Sequence, residues 1–210
     1  MGQVNEAARA RFEDDVRALC KKGDFVGAST LALRGYGPEI FGFLVATHRS
    51  ETEASDVFAE TAEGIWKGLP TFGWESTLRT WAYAIARNVT RTRRRDAARR
   101  DRRRPRAGDS ALEGVAQAVR TETLAFLRTE KKTQLQALRD ALSEEDRALL
   151  VLRVDRQLAW NDLARVFREE DGVPLSEADL LKEAARLRKR FQLVKDRLRQ
   201  LAKSQGLIEP

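Results

Sequence analysis

Phe72-Gly73-Trp74-Glu75-Ser76-Thr77-Leu78-Arg79-Thr80-Trp81-Ala82-Tyr83-Ala84-Ile85-Ala86-Arg87-Asn88 is a loop that runs into a helix. The spacing predicts that helix from Ser76 to about Arg95. At about 100° per residue, Leu78, Trp81, Ala82, Ile85, Ala86 and Val89 fall in one sector. Arg79, Tyr83, Arg87 and Arg91, each four residues from the next, fall in the opposite one. The helix therefore has an apolar back and a front of three arginines and one tyrosine. A solvated face is the ordinary reading of such a front. Here it leads straight into the arginine run 93–104, which turns the reading toward nucleic acid. Trp81 and Phe72 read as core anchors.

The charge balance agrees. The 210-residue chain carries a net charge of +7. Between Arg87 and Arg106 stand 11 basic and 2 acidic residues, so this segment holds more than the whole surplus. One localised polyanion contact fits that distribution better than a generally basic protein. Pro105 and Gly108 favour a phosphate-binding tether over a helix extension for the run, and 96–132 reads as a basic linker with a helical part from Ala111 to about Arg128.

Upstream, residues 1–22 read as a short polar helix with Phe12, Val16 and Leu19 on one face. Lys21-Lys22-Gly23-Asp24 is a break, and residues 25–33 suggest a second short helix. Arg34-Gly35-Tyr36-Gly37-Pro38 is a turn signal. Apolar helices are expected over 38–49, with Ile40, Leu44 and His48 four residues apart, and over 56–69, closed by Pro70. Downstream, Leu135, Leu138 and Leu142 mark a helix. Ser143 to Asp146 and Ser176 to Asp179 are N-cap signatures, opening helices to about Val154 and Lys203. With a helix over 158–167 between them, the pattern is helix-turn-helix.

Composition sets the bounds. The sequence is 42% hydrophobic with 9 Phe and 4 Trp, enough for real cores, and its few prolines and glycines favour helix. No apolar run approaches ~20 residues, so no membrane insertion is expected. The polar N-terminus lacks a signal-peptide core, so a cytoplasmic location is expected. One cysteine, Cys20, allows no internal disulfide and reads as a small hydrophobe; one histidine, His48, reads as a helix-end or core residue rather than a ligand. No acid–base pair, metal cluster or phosphate loop is visible, so no cofactor is expected and an enzyme is the least favoured class.

The stretch 72–88 closely resembles a segment of bacterial extracytoplasmic-function (group IV) RNA polymerase sigma factors of the sigma-70 family, "aromatic-Arg-Thr-Trp-Leu-Tyr-x-Ile-Ala-x-Asn". It matches without a gap over 17 positions, including Arg79, Thr80, Trp81, Tyr83, Ile85, Ala86 and Asn88. Glu53 to Glu60 resembles the family's "Ala-Glu-Asp-Leu-Val-Gln-Glu" in part, with Ser55 for a usual Glu and Ala59 for a usual Gln. Leu142 to Phe167 resembles the start of its second domain. Together the resemblance covers about 30–95 and 135–200.

The resemblance implies an all-α protein of two small helical domains, sigma domain 2-like and sigma domain 4-like, joined by the basic linker. The expected division is an N-terminal extension 1–24, a polymerase and −10 binding domain 25–95, the linker 96–132, and a helix-turn-helix domain 133–210 for the −35 element. Its partners would be core RNA polymerase, promoter DNA and an anti-sigma factor, for which the linker helix offers apolar contacts or packs on the chain's own domains.

The resemblance also assigns residues. The loop 72–76 matches the loop that captures an extruded base, where aromatic faces and hydrogen-bonding groups are needed. Trp74 and Tyr83 are the candidate stacking groups, Asn88 the base-edge or backbone reader, and Arg79, Arg87 and Arg91 the phosphate contacts. Trp74 replaces a usual glycine. Polymerase contact falls on Glu53, Asp56, Glu60 and Glu63. For duplex reading, two registers of the recognition helix leave Lys182, Arg186, Arg188, Lys189 and Arg190 as candidates. Ala159 stands where a Ser or Thr usually caps the first helix of the motif, residues 168–171 look inserted, and the segment 168–183 holds 6 acidic against 2 basic residues. Carboxylates there repel phosphate, which predicts weak or narrow duplex binding by this domain outside polymerase. Two rivals stay open: a sigma-like DNA-binding regulator that no longer supports initiation, and a helical adaptor binding protein or RNA through its arginine run.

Overall fold

The computed structural model describes residues 6–98, 110–129, 134–168 and 176–208. Helix α1 is Glu6–Lys21, α2 Phe25–His48, α3 Glu51–Gly68 and α4 Leu78–Ala98; α5 is Ser110–Thr129, α6 Gln134–Asp140, α7 Glu144–Leu150, α8 Trp160–Phe167 and α9 Glu177–Ser204. A 3₁₀ turn, Leu69–Thr71, follows α3, and a π-helical turn, Val151–Asp155, follows α7. Among the described residues there is no strand, and no helix is long and apolar enough to cross a membrane.

Helix α2 is the hub, because it is apolar on nearly every side. Ile40, Phe41, Phe43 and Leu44 are all buried, and α1, α3, α4 and α5 pack around it. A helix hydrophobic all round has to be enclosed. Helices α8 and α9 pair with each other, and α8 lies along α4. One continuous cluster of buried side chains runs from Val16 in α1 through Leu187 in α9, so the first unit (α2–α4, with α1 and α5 packed on it) and the second (α6–α9) share one apolar core. A smaller cluster, Leu142, Leu150 and Val194, closes the far end of the second unit.

The turn expected at 34–38 is not formed: residues 25–48 are one helix with Pro38 inside it. The glycines that mimic a turn signal serve close packing instead. A Cβ at Gly35 would lie 2.2 Å from Cζ of Phe12, and one at Gly37 would touch Val119. Pro38 forgoes a single main-chain bond, and the buried face holds the helix across that gap. Helix α3 starts earlier than the apolar spacing suggests because Ser50 accepts from the Glu53 amide and caps it. Ser143 and Ser176 cap α7 and α9 as expected, each accepting from the amide three residues on. Ala159 stands at the N-cap of α8 and supplies no side-chain bond.

The arginine run begins as helix, since α4 continues through Arg93, Arg94 and Arg95 to Ala98. The remainder of the run, and the inserted turn up to the first recognition-helix register, lie outside the described residues. The linker helix α5 spends its apolar face on the first unit: Leu112, Ala116 and Val119 are buried against it. Helix α1 likewise packs into the first unit through Val16.

Candidate nucleic-acid interface

The site has two parts, a cleft where loop 72–77 meets the Trp81, Ile85 and Asn88 side of α4, and the arginine front of the same helix. Phe72 stacks on Trp81 (centroids 4.5 Å apart, planes at 19°) and meets Trp74 at 4.8 Å. Trp74 sits at φ 57°, in the left-handed region that glycine enters without strain. A tryptophan there costs about 1–2 kcal/mol, offset by the Phe72 contact and by the Arg17 guanidinium 5.2 Å from the indole centroid. Beside the loop lies a cleft of about 590 Å³, walled by Phe72, Ser76, Trp81 and Asn88 on one side and by Arg165 and Arg168 of the second unit on the other.

The cationic front of α4 is covered. Arg79 is 8% exposed and makes a bidentate pair with Glu39 (2.6 and 3.0 Å) while donating to the Arg156 carbonyl (3.0 Å). Burial works against its charge, but the hydrogen bonds and charge of Glu39 more than offset it and leave its pKa raised. Tyr83 is fully buried, edge-on to Phe43 at 5.5 Å, and burial pushes its phenol far up. The expected stacking role meets a core side chain: no face of this ring is open to a base. Arg87 is 7% exposed, 2.6 Å from Glu145, with its guanidinium carbon 4.2 Å from the Phe167 centroid. Burial lowers its pKa, and Glu145 opposes that. Arg91 donates to the Arg168 carbonyl at 3.2 Å.

A second set of bonds joins the units end to end. Arg147, 3% exposed, donates to the carbonyls of Thr47, Leu142 and Arg139, and burial lowers its pKa. Arg49 also reaches the Leu142 carbonyl (3.2 Å), and Arg94 approaches Glu144 (3.5 Å). Toward the arginines of α4 the second unit presents the carboxylates of Glu144 and Glu145 and the carbonyls of Arg156 and Arg168. These are oxygen acceptors of the kind a nucleic-acid backbone offers.

The acidic candidates on α3 are also engaged. Arg93 pairs with both Asp56 (3.1 Å) and Glu60 (2.5 Å), Lys67 with Glu63, and the buried His48 lies 3.3 Å from Glu53. His48 also pairs with Thr90 through Nε2 at 3.0 Å, which makes it a core residue at the end of α2. Burial raises the Cys20 thiol, in keeping with a packed hydrophobe. In α9, Lys182, Arg186, Arg188 and Lys189 are exposed, with Arg186 bonded to Glu183 and Arg188 beside Trp160. Arg190 is half-buried on Asp146 at 2.7 Å. Among the described residues no group of three or more His, Cys, Asp or Glu side chains could hold a metal ion.

Several interface residues carry no local signal. Glu145 sits in an ordinary acidic first turn, and Arg165 is spaced like any helix-surface arginine. Arg147 falls within the stretch Leu142 to Phe167 that resembles the start of the second domain, which is a usable hint.

Two comparisons bear on this geometry. Residues 33–100 match the family described as Sigma-70 region 2. The chain is 29% identical over 166 residues to RNA polymerase sigma factor YlaC of Bacillus subtilis (strain 168), an alignment covering 78% of this chain and 91% of that protein.

Proposed function

We propose that this chain, which belongs to the sigma-70 family as a factor of the extracytoplasmic-function group, binds core RNA polymerase and opens the −10 element of its promoters. Its role as a sigma factor in transcription follows from its family and its relative. Direct contact with polymerase, strand capture and the residues involved are our reading.

The observation that carries this reading is the cleft. Its floor, made by Phe72, Ser76, Trp81 and Asn88, belongs to the first unit and does not depend on the wall that α8 supplies. Trp81 and Asn88 flank an extruded base, one with a π-face and the other with a carboxamide, and Trp74, which lies behind the cleft against Phe72 and Arg17, supports the loop rather than stacking. Arg87 and Arg91 then take phosphates. Arg79 and Tyr83 are tied within the first unit, to Glu39 and Phe43, and hold the helix in place. Polymerase meets the acidic edge of α3, which Arg93 already organises. In α9, Lys182, Arg186, Arg188 and Lys189 face the duplex.

The covered front is the resting arrangement. Strand binding requires α8 to leave α4, exchanging the Glu145 carboxylate on Arg87 and the Arg168 carbonyl on Arg91 for phosphate oxygens of the same hydrogen-bonding character. Polymerase supplies the free energy by holding the two units apart. An anti-sigma partner works in the opposite sense, and it does not use the apolar face of α5, which α2 occupies.

Run-off transcription with purified core polymerase tests the reading. Transcripts that depend on this chain, and disappear with Asn88→Ala, are expected. DNA binding without initiation would instead identify a sigma-like regulator. No chain-dependent transcript, with partner binding lost on charge reversal across 93–104 and unchanged by Asn88 and Trp74 substitutions, would identify an adaptor.

A further inference from the structure

From the contacts of α1 we infer that this helix positions the base-capturing loop, with Glu13 and Arg17 setting specificity without touching the base. The inference rests on the strand-capture reading above and assigns a part to a segment that precedes the matched family region 33–100.

The argument starts from what the N-terminus of α4 lacks. The first amides of a helix have no partner within it. In α4 the Thr77 hydroxyl accepts from the Thr80 amide (3.1 Å), and the Trp81 amide reaches the Thr77 carbonyl. The amides of Leu78 and Arg79 go instead to a residue more than sixty positions away: Glu13 accepts them through Oε2 and Oε1 at 2.9 and 3.1 Å. The Tyr36 hydroxyl donates to the same carboxylate at 2.8 Å, and its phenol is pushed far up, first by burial and then by that bond. A carboxylate at a helix N-terminus is also favoured by the helix dipole.

One turn later on the same face, Arg17 lies over the Trp74 indole. Phe12 anchors this face against Tyr36, ring centroids 5.1 Å apart, and Val16 is fully buried. So α1 holds loop 72–77 at its middle and at the helix start just beyond it. Glu13 fixes where α4 begins, and Arg17 holds the strained Trp74, whose neighbours Gly73 and Glu75 line the cleft. Neither the side chain of Glu13 nor that of Arg17 lines the cleft itself. A base that enters between Gly73, Glu75 and Asn88 meets a gap whose width this helix sets through the loop.

The test uses the full chain assembled with core polymerase and a pool of single-stranded oligodeoxynucleotides carrying a randomised tract. An oligonucleotide of the same length with an abasic position serves as control. We expect the unmodified complex to prefer one base. Glu13→Ala and Arg17→Ala each flatten that preference about fivefold, the scale of a lost cap or a cation–π contact. Affinity for the abasic strand stays unchanged, and Arg17→Lys, which keeps a cation over the ring, restores part of the preference. If Glu13→Ala unfolds the chain, Arg17→Ala carries the test, because that side chain is exposed. Full preference in Arg17→Ala overturns the inference. So does equal loss on the abasic strand, which would make Arg17 a phosphate contact. An unmodified complex with no base preference overturns the strand-capture reading itself, and is told apart because it shows before any substitution is made.

Discussion

Two sets of side chains on α4, Leu78, Ala82 and Ala86 on one side and Arg79 and Arg87 on the other, are buried to nearly the same degree and by different physics. Leu78, Ala82 and Ala86 face the first unit's own core, and returning them to water costs apolar transfer energy with nothing to replace it. Arg87, on the opposite face, is buried under the second unit by an ion pair, with a carbonyl bond to Arg91 beside it. Each of those bonds can be exchanged for one to a phosphate. The first kind of burial belongs to the fold. The second is a state of the molecule, held together by contacts that a nucleic acid can match.

The sharpest way to break this comparison is to fasten the second face permanently. With Cys20→Ser, Arg94→Cys and Glu144→Cys, a short bismaleimide linker carrying a disulfide joins α4 to α7 at an edge where the two side chains already meet. Run-off activity should fall by about a hundredfold or more, the scale of a two-state equilibrium forced to one side, and a reductant should restore it. A locked chain that remains active would show that the front of α4 is not needed.

The back face is tested by Leu78→Ala, which removes a fully buried side chain. A loss of about 3 kcal/mol in urea unfolding is expected. Glu145→Lys tests the front by placing a cation beside Arg87, where an ion pair now holds the units. The free chain should then bind single-stranded DNA about tenfold more tightly, with a larger radius of gyration by X-ray scattering. A tightly closed particle with unchanged DNA affinity would mean that the apolar continuity between the units dominates. The smallest effect is expected at α8, whose N-cap residue already has an extended backbone (φ −66°, ψ 157°) and lacks only an acceptor. Ala159→Ser should add about 1 kcal/mol to stability, read as a rise of a few degrees in Tm.

Much of the fold can be read along the chain, because helix periodicity and N-caps are local. Ser143 and Ser176 cap α7 and α9, and the missing cap at Ala159 is visible before any coordinates. The grouping of Arg79, Tyr83, Arg87 and Arg91 on one side of α4 is also a matter of spacing. Residues 34–38 misled for a physical reason: Gly35 and Gly37 have the composition of a turn, but their lack of a side chain lets Phe12 and Val119 approach a continuous helix. The Glu13 cap was illegible because its partners lie too far away in sequence for any local pattern to connect them. Tyr83 shows the same limit from the other side, since a helical wheel assigns it to the cationic face without showing that Phe43 meets it there.

The order of amino acids alone determined that this protein is helical, where most of its helices begin, which side chains share a face, and where its positive charge is concentrated. Those properties follow from a fixed rise and rotation per residue and from the chemistry of neighbours a few positions apart. Only the tertiary structure decided that α2 runs unbroken, that a remote carboxylate starts α4, and that the arginine face lies under the second unit. Such outcomes depend on which surfaces meet in space, and that is set by the summed packing of the whole chain rather than by any stretch of it.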